Sequence, residues 1–200
     1  MRALRALCAI LICIIGGCSA RLPEKWLEGQ PLTPVAALAG DRTARDLERR
    51  FGGIHDDPSA IHRMQRIADR LGIEEVATHH AIALRFELLA TNHLGAYSLP
   101  DGRVYITCGL YDKLHTDDSL AAVLAHEAAH IRTQDGDHPL RSERDGLARE
   151  MAADRYAIER LVKAEYQPAS MIEVLEITRA EQKPGCCEKR IFSLRSLLAD

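Results

Sequence analysis

Apolar residues along the 200-residue chain change their period several times, and each change marks an element. Thr43 to Arg50 predicts a short helix stopped by Gly52-Gly53. In D57-P-S-A-I-H-R-M-Q-R-I-A-D-R-L-G72, Ile61, Met64, Ile67, Ala68 and Leu71 recur on one helical face. Asp57 can cap that helix, Pro58 can take its first position and Gly72 can end it. Ala81 to Ala90 alternates in part, as a strand does, and the turn-rich Thr91 to Gly102 follows it. Arg103 to Gly109 is the clearest strand, with Val104, Ile106 and Cys108 on one side. Asp117 to Arg132 predicts a central helix capped by Asp117 or Asp118, with acidic charge suited to its N-terminus. A loop over 134–141 leads to a long helix from Ser142 to Ala164, interrupted only by Gly146. A further helix spans about Pro168 to Arg179. K183-P-G-C-C187 breaks it before a short final helix. No internal repeat is present.

These elements describe an α+β protein, mainly helical, with a small β-sheet before the central helix. The length and a 46% apolar content suit one domain with a real core. A formal charge of -3 leaves no basic surplus for nucleic acid, and three Phe and one Trp give few platforms for stacking bases. Nucleic-acid binding is therefore not expected.

The N-terminus sets the compartment. Arg2 and Arg5 precede the uncharged apolar run Leu7 to Ile15, which has the layout of a secretory signal and is too short for a full membrane span. I15-G-G-C18 closes it and resembles the lipobox of bacterial lipoproteins. That resemblance implies a signal peptide over 1–17, acylation of Cys18 and an acylated tether over 18–38. Residues 39–200 remain for the folded domain. It also implies a lipid-anchored protein of the bacterial cell envelope with its domain in the periplasm. Ser19 stands where Asp favours inner-membrane retention, so the expectation leans to the outer membrane. Cys108, Cys186 and Cys187 are left in the mature domain, where an oxidising compartment allows a bridge between Cys108 and one of the C-terminal pair.

The central helix contains L124-A-H-E-A-A-H-I131. A helix turns about 100° per residue, so His126 and His130 share a face and both imidazoles can reach one ion. Glu127 is rotated away from the ligand positions, where a general base must stand. Zinc needs a third protein ligand and one open position. E150-M-A-A-D154 follows His130 by 20 residues, enough chain to turn and return antiparallel. Glu150 can complete the ligand set. Asp154 can accept a hydrogen bond from the far nitrogen of a ligating histidine, with His126 the first candidate, and so fix its orientation. Ala125, Ala128, Ala129, Ala152 and Ala153 are small enough to let the two helices come close.

With H126-E-A-A-H130 and E150-M-A-A-D154 in place, the chain resembles the M48 family of zinc metallopeptidases, which includes Ste24-like and HtpX-like enzymes. It looks most like their soluble, lipoprotein-type periplasmic members. G95-A-Y-S-L-P-D-G102 followed by R103-V-Y-I-T-C-G-L110 is similar to the family's N-A-F-x-x-P-G-G segment and its strand. The resemblance covers roughly residues 57 to 165. It implies a zincin-like fold, one Zn2+ per chain, and endopeptidase action on unfolded or misfolded envelope proteins. His126, His130 and Glu150 would hold the ion, and Glu127 would take the proton of the attacking water and pass it to the leaving amine. The strand of Arg103, Val104, Tyr105, Ile106, Thr107 and Cys108 would offer an open edge to an extended peptide. Tyr156 and Tyr166 are weak candidates for an oxyanion donor, and His93 and His115 read as loop residues. Two departures stand out. Gly95 replaces the family's usual Asn, and C186-C-E-K-R-I191 keeps the Arg-Ile of many members without their preceding His-Pro. They motivate an alternative, a zinc-binding envelope chaperone or scaffold with little proteolysis. A structural lipoprotein without metal is the third reading.

Overall fold

Asp57 starts a helix as its neighbours require. Its side chain accepts hydrogen bonds from the Ser59 and Ala60 amides at 3.0 and 3.1 Å, Pro58 opens the first turn, and Gly72 closes the last in the left-handed region at φ 63°. The computed structural model that shows this describes residues 34–73, 82–133, 143–181 and 185–199. Its helices are α1 (Pro34–Arg50), α2 (Pro58–Leu71), the single turn α3 (Cys108–Tyr111), α4 (Asp117–Thr133), α5 (Glu143–Lys163), α6 (Ser170–Thr178) and α7 (Cys186–Leu197). The strands are β1 (Ile54–His55), β2 (Arg85–Leu89), β3 (Ala96–Ser98) and β4 (Arg103–Thr107). The signal segment, Cys18, the 134–141 loop and Ser142 lie outside the described residues.

The sheet runs β1-β2-β4-β3. β4 pairs parallel with β2 and antiparallel with β3, so both of its sides are used. Val104 and Ile106 turn toward α2 and α4, while Tyr105 faces the opposite way and donates to Glu48 of α1 at 2.8 Å. The sheet thus lies between α1 on one face and the helical core on the other. α4 is buried on every side from Ser119 to Ile131, the expected state of a helix whose positions are apolar all round. α2, α5 and α6 pack around it, and α7 closes against α5 and α6.

Several expectations change. The helix expected from Thr43 begins at Pro34, so the tether expected to reach residue 38 gives way to helix sooner. Pro34 suits a first turn, where an amide proton has no partner to lose. The turn-rich stretch before Gly102 holds β3, hidden from pattern reading because it is three residues long between Gly95 and Pro100. Cys108 is not on the strand: Thr107 caps α3 by accepting from the Leu110 amide, and Cys108 begins that turn. Thr116, rather than either aspartate, caps α4 by accepting from the Ser119 amide at 3.1 Å. Asp117 instead pairs with Arg63 at 2.8 Å, and Asp118 accepts from the Gln167 amide at 2.8 Å. No disulfide joins Cys108, Cys186 or Cys187.

The β3–β4 turn depends on Gly102. It sits at φ +90°, and a Cβ there would lie 2.4 Å from the Ala83 carbonyl oxygen and 2.6 Å from Ile82 Cγ2. Gly102→Ala should therefore destabilise the protein by roughly 1–3 kcal/mol through backbone strain alone. Chemical denaturation should show an earlier midpoint; an unchanged midpoint would show that the turn relaxes without cost.

Candidate metal centre and its carboxylates

α4 and α5 lie side by side, with Ala125, Ala128, Ala129, Ala153 and Ala157 all buried. Short side chains let the helices approach closely enough for the carboxylates of α5 to reach the histidines of α4. His126 Nε2 and His130 Nε2 are 3.2 Å apart, with their rings edge-on. Glu150 Oε2 lies 3.4 Å from His126 Nε2, and Glu150 Oε1 lies 3.5 Å from His130 Nε2. A tetrahedral ion with bonds of about 2.0–2.1 Å separates its ligand atoms by about 3.3 Å. The three distances match such a tetrahedron's edges. Glu150 Oε2 is also buried and makes no aligned hydrogen bond, its close neighbour being Nη1 of Arg190 at 2.9 Å. The residues fit a metal ion, and His126, His130 and Glu150 form a buried cluster able to hold one.

Asp154 lies where its role requires. Its Oδ1 is 3.1 Å from His126 Nδ1, the nitrogen pointing away from the ligand triangle. The pair is close but not aligned as a hydrogen bond, since His126 Nδ1 has no hydrogen-bond partner. Glu127 follows His126 on α4 and forms part of the wall of a cavity beside the triangle.

The sequence did not single out Arg190. This side chain comes from α7, is 3% exposed, and reaches both α5 carboxylates. Its Nε and Nη2 donate to Asp154 at 2.8 and 2.5 Å, and its Nη1 lies 2.9 Å from Glu150 Oε2. Its signal was the Arg-Ile of C186-C-E-K-R-I191, but nothing local says that α7 packs against α5. Burial works to raise the Glu150 pKa, yet the Arg190 charge and the two histidines outweigh it and hold the group down at about 2. Burial likewise opposes ionisation of Asp154, and Arg190 and His126 again prevail and hold it below the usual carboxylate range. For His126, burial pulls the pKa down, but Asp154 and Glu150 raise it above the ordinary value.

The remaining candidates take other places. Tyr156 lies against Arg132 and Arg160 and accepts from Arg160 Nε at 3.2 Å; Tyr166 is buried beneath Arg70. Both are engaged by arginines instead of facing the triangle. His93 stands 3.2 Å from Glu181 and stacks on Phe51, and His115 is exposed. The strand from Arg103 to Thr107 is not an edge, because β2 and β3 occupy both its sides. The edge beside α4 is β3. The Thr107 amide donates to Gly95 O at 3.0 Å and the Leu99 amide to Arg103 O at 2.8 Å. Alternation along an antiparallel ladder then turns the backbone groups of Ala96 and Ser98 away from β4.

Arg190→Met should leave Asp154 and Glu150 buried without their counter-charge. The expected loss is roughly 3–5 kcal/mol in metal-free protein, and less when a cation sits beside Glu150. Because the folded-state pKa of Glu150 is depressed, its stabilisation is complete above its ordinary value near 4.5 and is lost as pH falls toward about 2. The variant should therefore unfold at a higher pH than wild type in an acid titration followed by circular dichroism. Identical acid midpoints with and without Arg190 would contradict this role.

No curated protein sequence matches the chain. The family model described as Peptidase family M48 matches residues 58–142. That span includes β3, β4 and the His126-Glu127-His130 motif and stops short of Glu150, whose place in the triangle rests on geometry. Over residues 58–142 the chain is thus similar to peptidase family M48, and its buried His-His-Glu cluster is of the kind a metallopeptidase needs.

Proposed function

We propose that this protein is a zinc-dependent endopeptidase that cleaves unfolded or misfolded cell-envelope proteins while anchored through lipid on Cys18. The observation that carries the enzymatic part is the tetrahedral spacing of His126, His130 and Glu150 with Glu127 beside them. Two imidazoles and a carboxylate with a fourth position left for solvent are the donor set of catalytic zinc sites, with one ion per chain. When bound, zinc would supply Lewis acidity that polarises the scissile carbonyl and acidifies the attacking water.

The protein's own residues do the rest. Glu127, mostly buried in the cavity wall, accepts the proton from the attacking water and delivers it to the departing amine nitrogen. Asp154 and Arg190 act at a distance: Asp154 sets the His126 ring, and Arg190 keeps Asp154 and Glu150 ionised. The outward amide and carbonyl groups of Ala96 and Ser98 can hold a peptide as an added strand. Main-chain recognition of this kind selects extended chain over any tight sequence, which suits unfolded substrates.

The anchoring part rests on I15-G-G-C18 and the run before it. No helix among the described residues is long and apolar enough to cross a membrane. Acyl chains on Cys18 would hold the domain at the envelope surface, on the periplasmic side and at the outer membrane given Ser19.

Glu127→Gln should retain one zinc per chain by elemental analysis and lose activity on a labelled unfolded protein by about 10²–10⁴-fold. Equal rates for the two proteins would overturn the peptidase reading and favour a zinc-binding chaperone; protein purified without chelator and free of zinc would overturn the zinc assignment. Ser98→Pro removes one outward amide without touching the β4 ladder. It should raise KM for an extended peptide several-fold and leave kcat nearly unchanged, and an unchanged KM would place the peptide elsewhere.

A further inference from the structure

A cavity of about 50 Å³ opens beside the ligand triangle. His126 and Glu127 form one wall. The others are apolar: Ala96 of β3, Val123 of α4, and Met171 and Val174 of α6. Two further polar residues border it: Thr178 turns its hydroxyl back to the Val174 carbonyl at 2.9 Å, and Arg190 is held by Asp154 and Glu150. The lining is mostly apolar and adjoins the site, so the space suits a hydrocarbon group.

The edge of β3 says what would enter it. Residues paired across neighbouring strands point their side chains to the same face of the sheet. Ala96 points into the cavity, and its backbone groups face outward. A peptide laid along β3 therefore places the side chain opposite Ala96 in that same cavity, next to Glu127. We infer that this cavity is a specificity pocket for a small aliphatic side chain, of alanine or valine size, on a residue flanking the scissile bond. The inference rests on the endopeptidase reading.

Size sets the preference. A dry cavity of about 150 Å³ holds a benzene ring, so about a third of that volume holds two or three carbon atoms. A glycine would leave the space unfilled. A phenylalanine would have to displace Met171 and Val174, which are 1% and 6% exposed and packed into the core. One aliphatic group matched to such a pocket changes kcat/KM by about 10–200-fold.

The test uses the zinc-loaded protein and peptides that differ at one residue on either side of the cleaved bond, carrying Gly, Ala, Val, Leu or Phe. Valine or alanine should exceed both glycine and phenylalanine by at least about tenfold at one of the two positions. Ala96→Leu fills the cavity and should abolish that preference. Val174→Ala enlarges it and should move the optimum to leucine; it carries the test if the first variant fails to fold. Cleavage of all peptides at similar rates would overturn the pocket and leave the peptidase reading standing. Failure of wild type to cleave any peptide, with rates equal to Glu127→Gln, would remove both.

Discussion

Arg190 is the charge on which the buried half of this site depends. Two carboxylates, one turn apart on α5, are carried into a core lined by alanine and leucine. Without a cation beside them they would protonate, because burial alone favours the neutral acid. A neutral Glu150 is a poor ligand, and a neutral Asp154 cannot accept from His126 in the same way. The guanidinium removes that option. It takes Asp154 with two nitrogens and Glu150 with a third, a planar match that a lysine could not make. The C-terminal helix is thus part of the metal centre although it contributes no ligand.

That dependence orders the fold. α7 must reach α5, so the chain after α6 turns back through Gly185, which begins α7 at φ 80°. The Cys187 thiol donates to the Leu175 carbonyl at 3.0 Å and fixes the start of α7 against α6. The paired cysteines, one of which an oxidising compartment would allow to bridge to Cys108, are packing residues at this joint: both are buried. α6 in turn supplies Met171 and Val174 to the cavity beside Glu127, so the joint that delivers Arg190 also shapes that cavity.

What was legible in the sequence was whatever a single helix encodes. His126, Glu127 and His130 share one helix, as do Glu150 and Asp154, and the spacing within each pair follows from 3.6 residues per turn. Even the pairing of the two helices could be read, from the alanines and the length of the connection. The capping of α2 was equally local. Two of the failures were non-local, and that of β3 was a matter of length. Strand order cannot be read from the alternation within β4, and the edge that the family resemblance implies for that strand is taken by β3 instead. β3 was hidden because three residues carry no period. Arg190 carries no local signal of its role, since that role depends on a contact 36 residues away in the chain.

Gly95 shows how a departure from a family pattern can be half of a pair. Where the resemblance expects Asn-Ala-Phe, this chain has Gly95-Ala96-Tyr97. A Cβ at position 95 would lie 2.8 Å from the Tyr97 hydroxyl oxygen and 3.1 Å from the ring carbon that bears it. The ring cannot easily retreat, because it stacks on Phe51 at 5.4 Å, and Phe51 stacks on His93 in turn. Tyrosine at 97 therefore requires glycine at 95, and the phenol fills the space that a side chain at 95 would take. Burial, with Glu127 and Glu181 nearby, pushes the phenol pKa up to about 12, so the hydroxyl keeps its proton at any pH the enzyme meets. The phenol thus puts a neutral polar group beside Gly95, on a side chain held by its stacking on Phe51. The change at Gly95 is therefore matched by Tyr97 and touches neither the ligands nor the base.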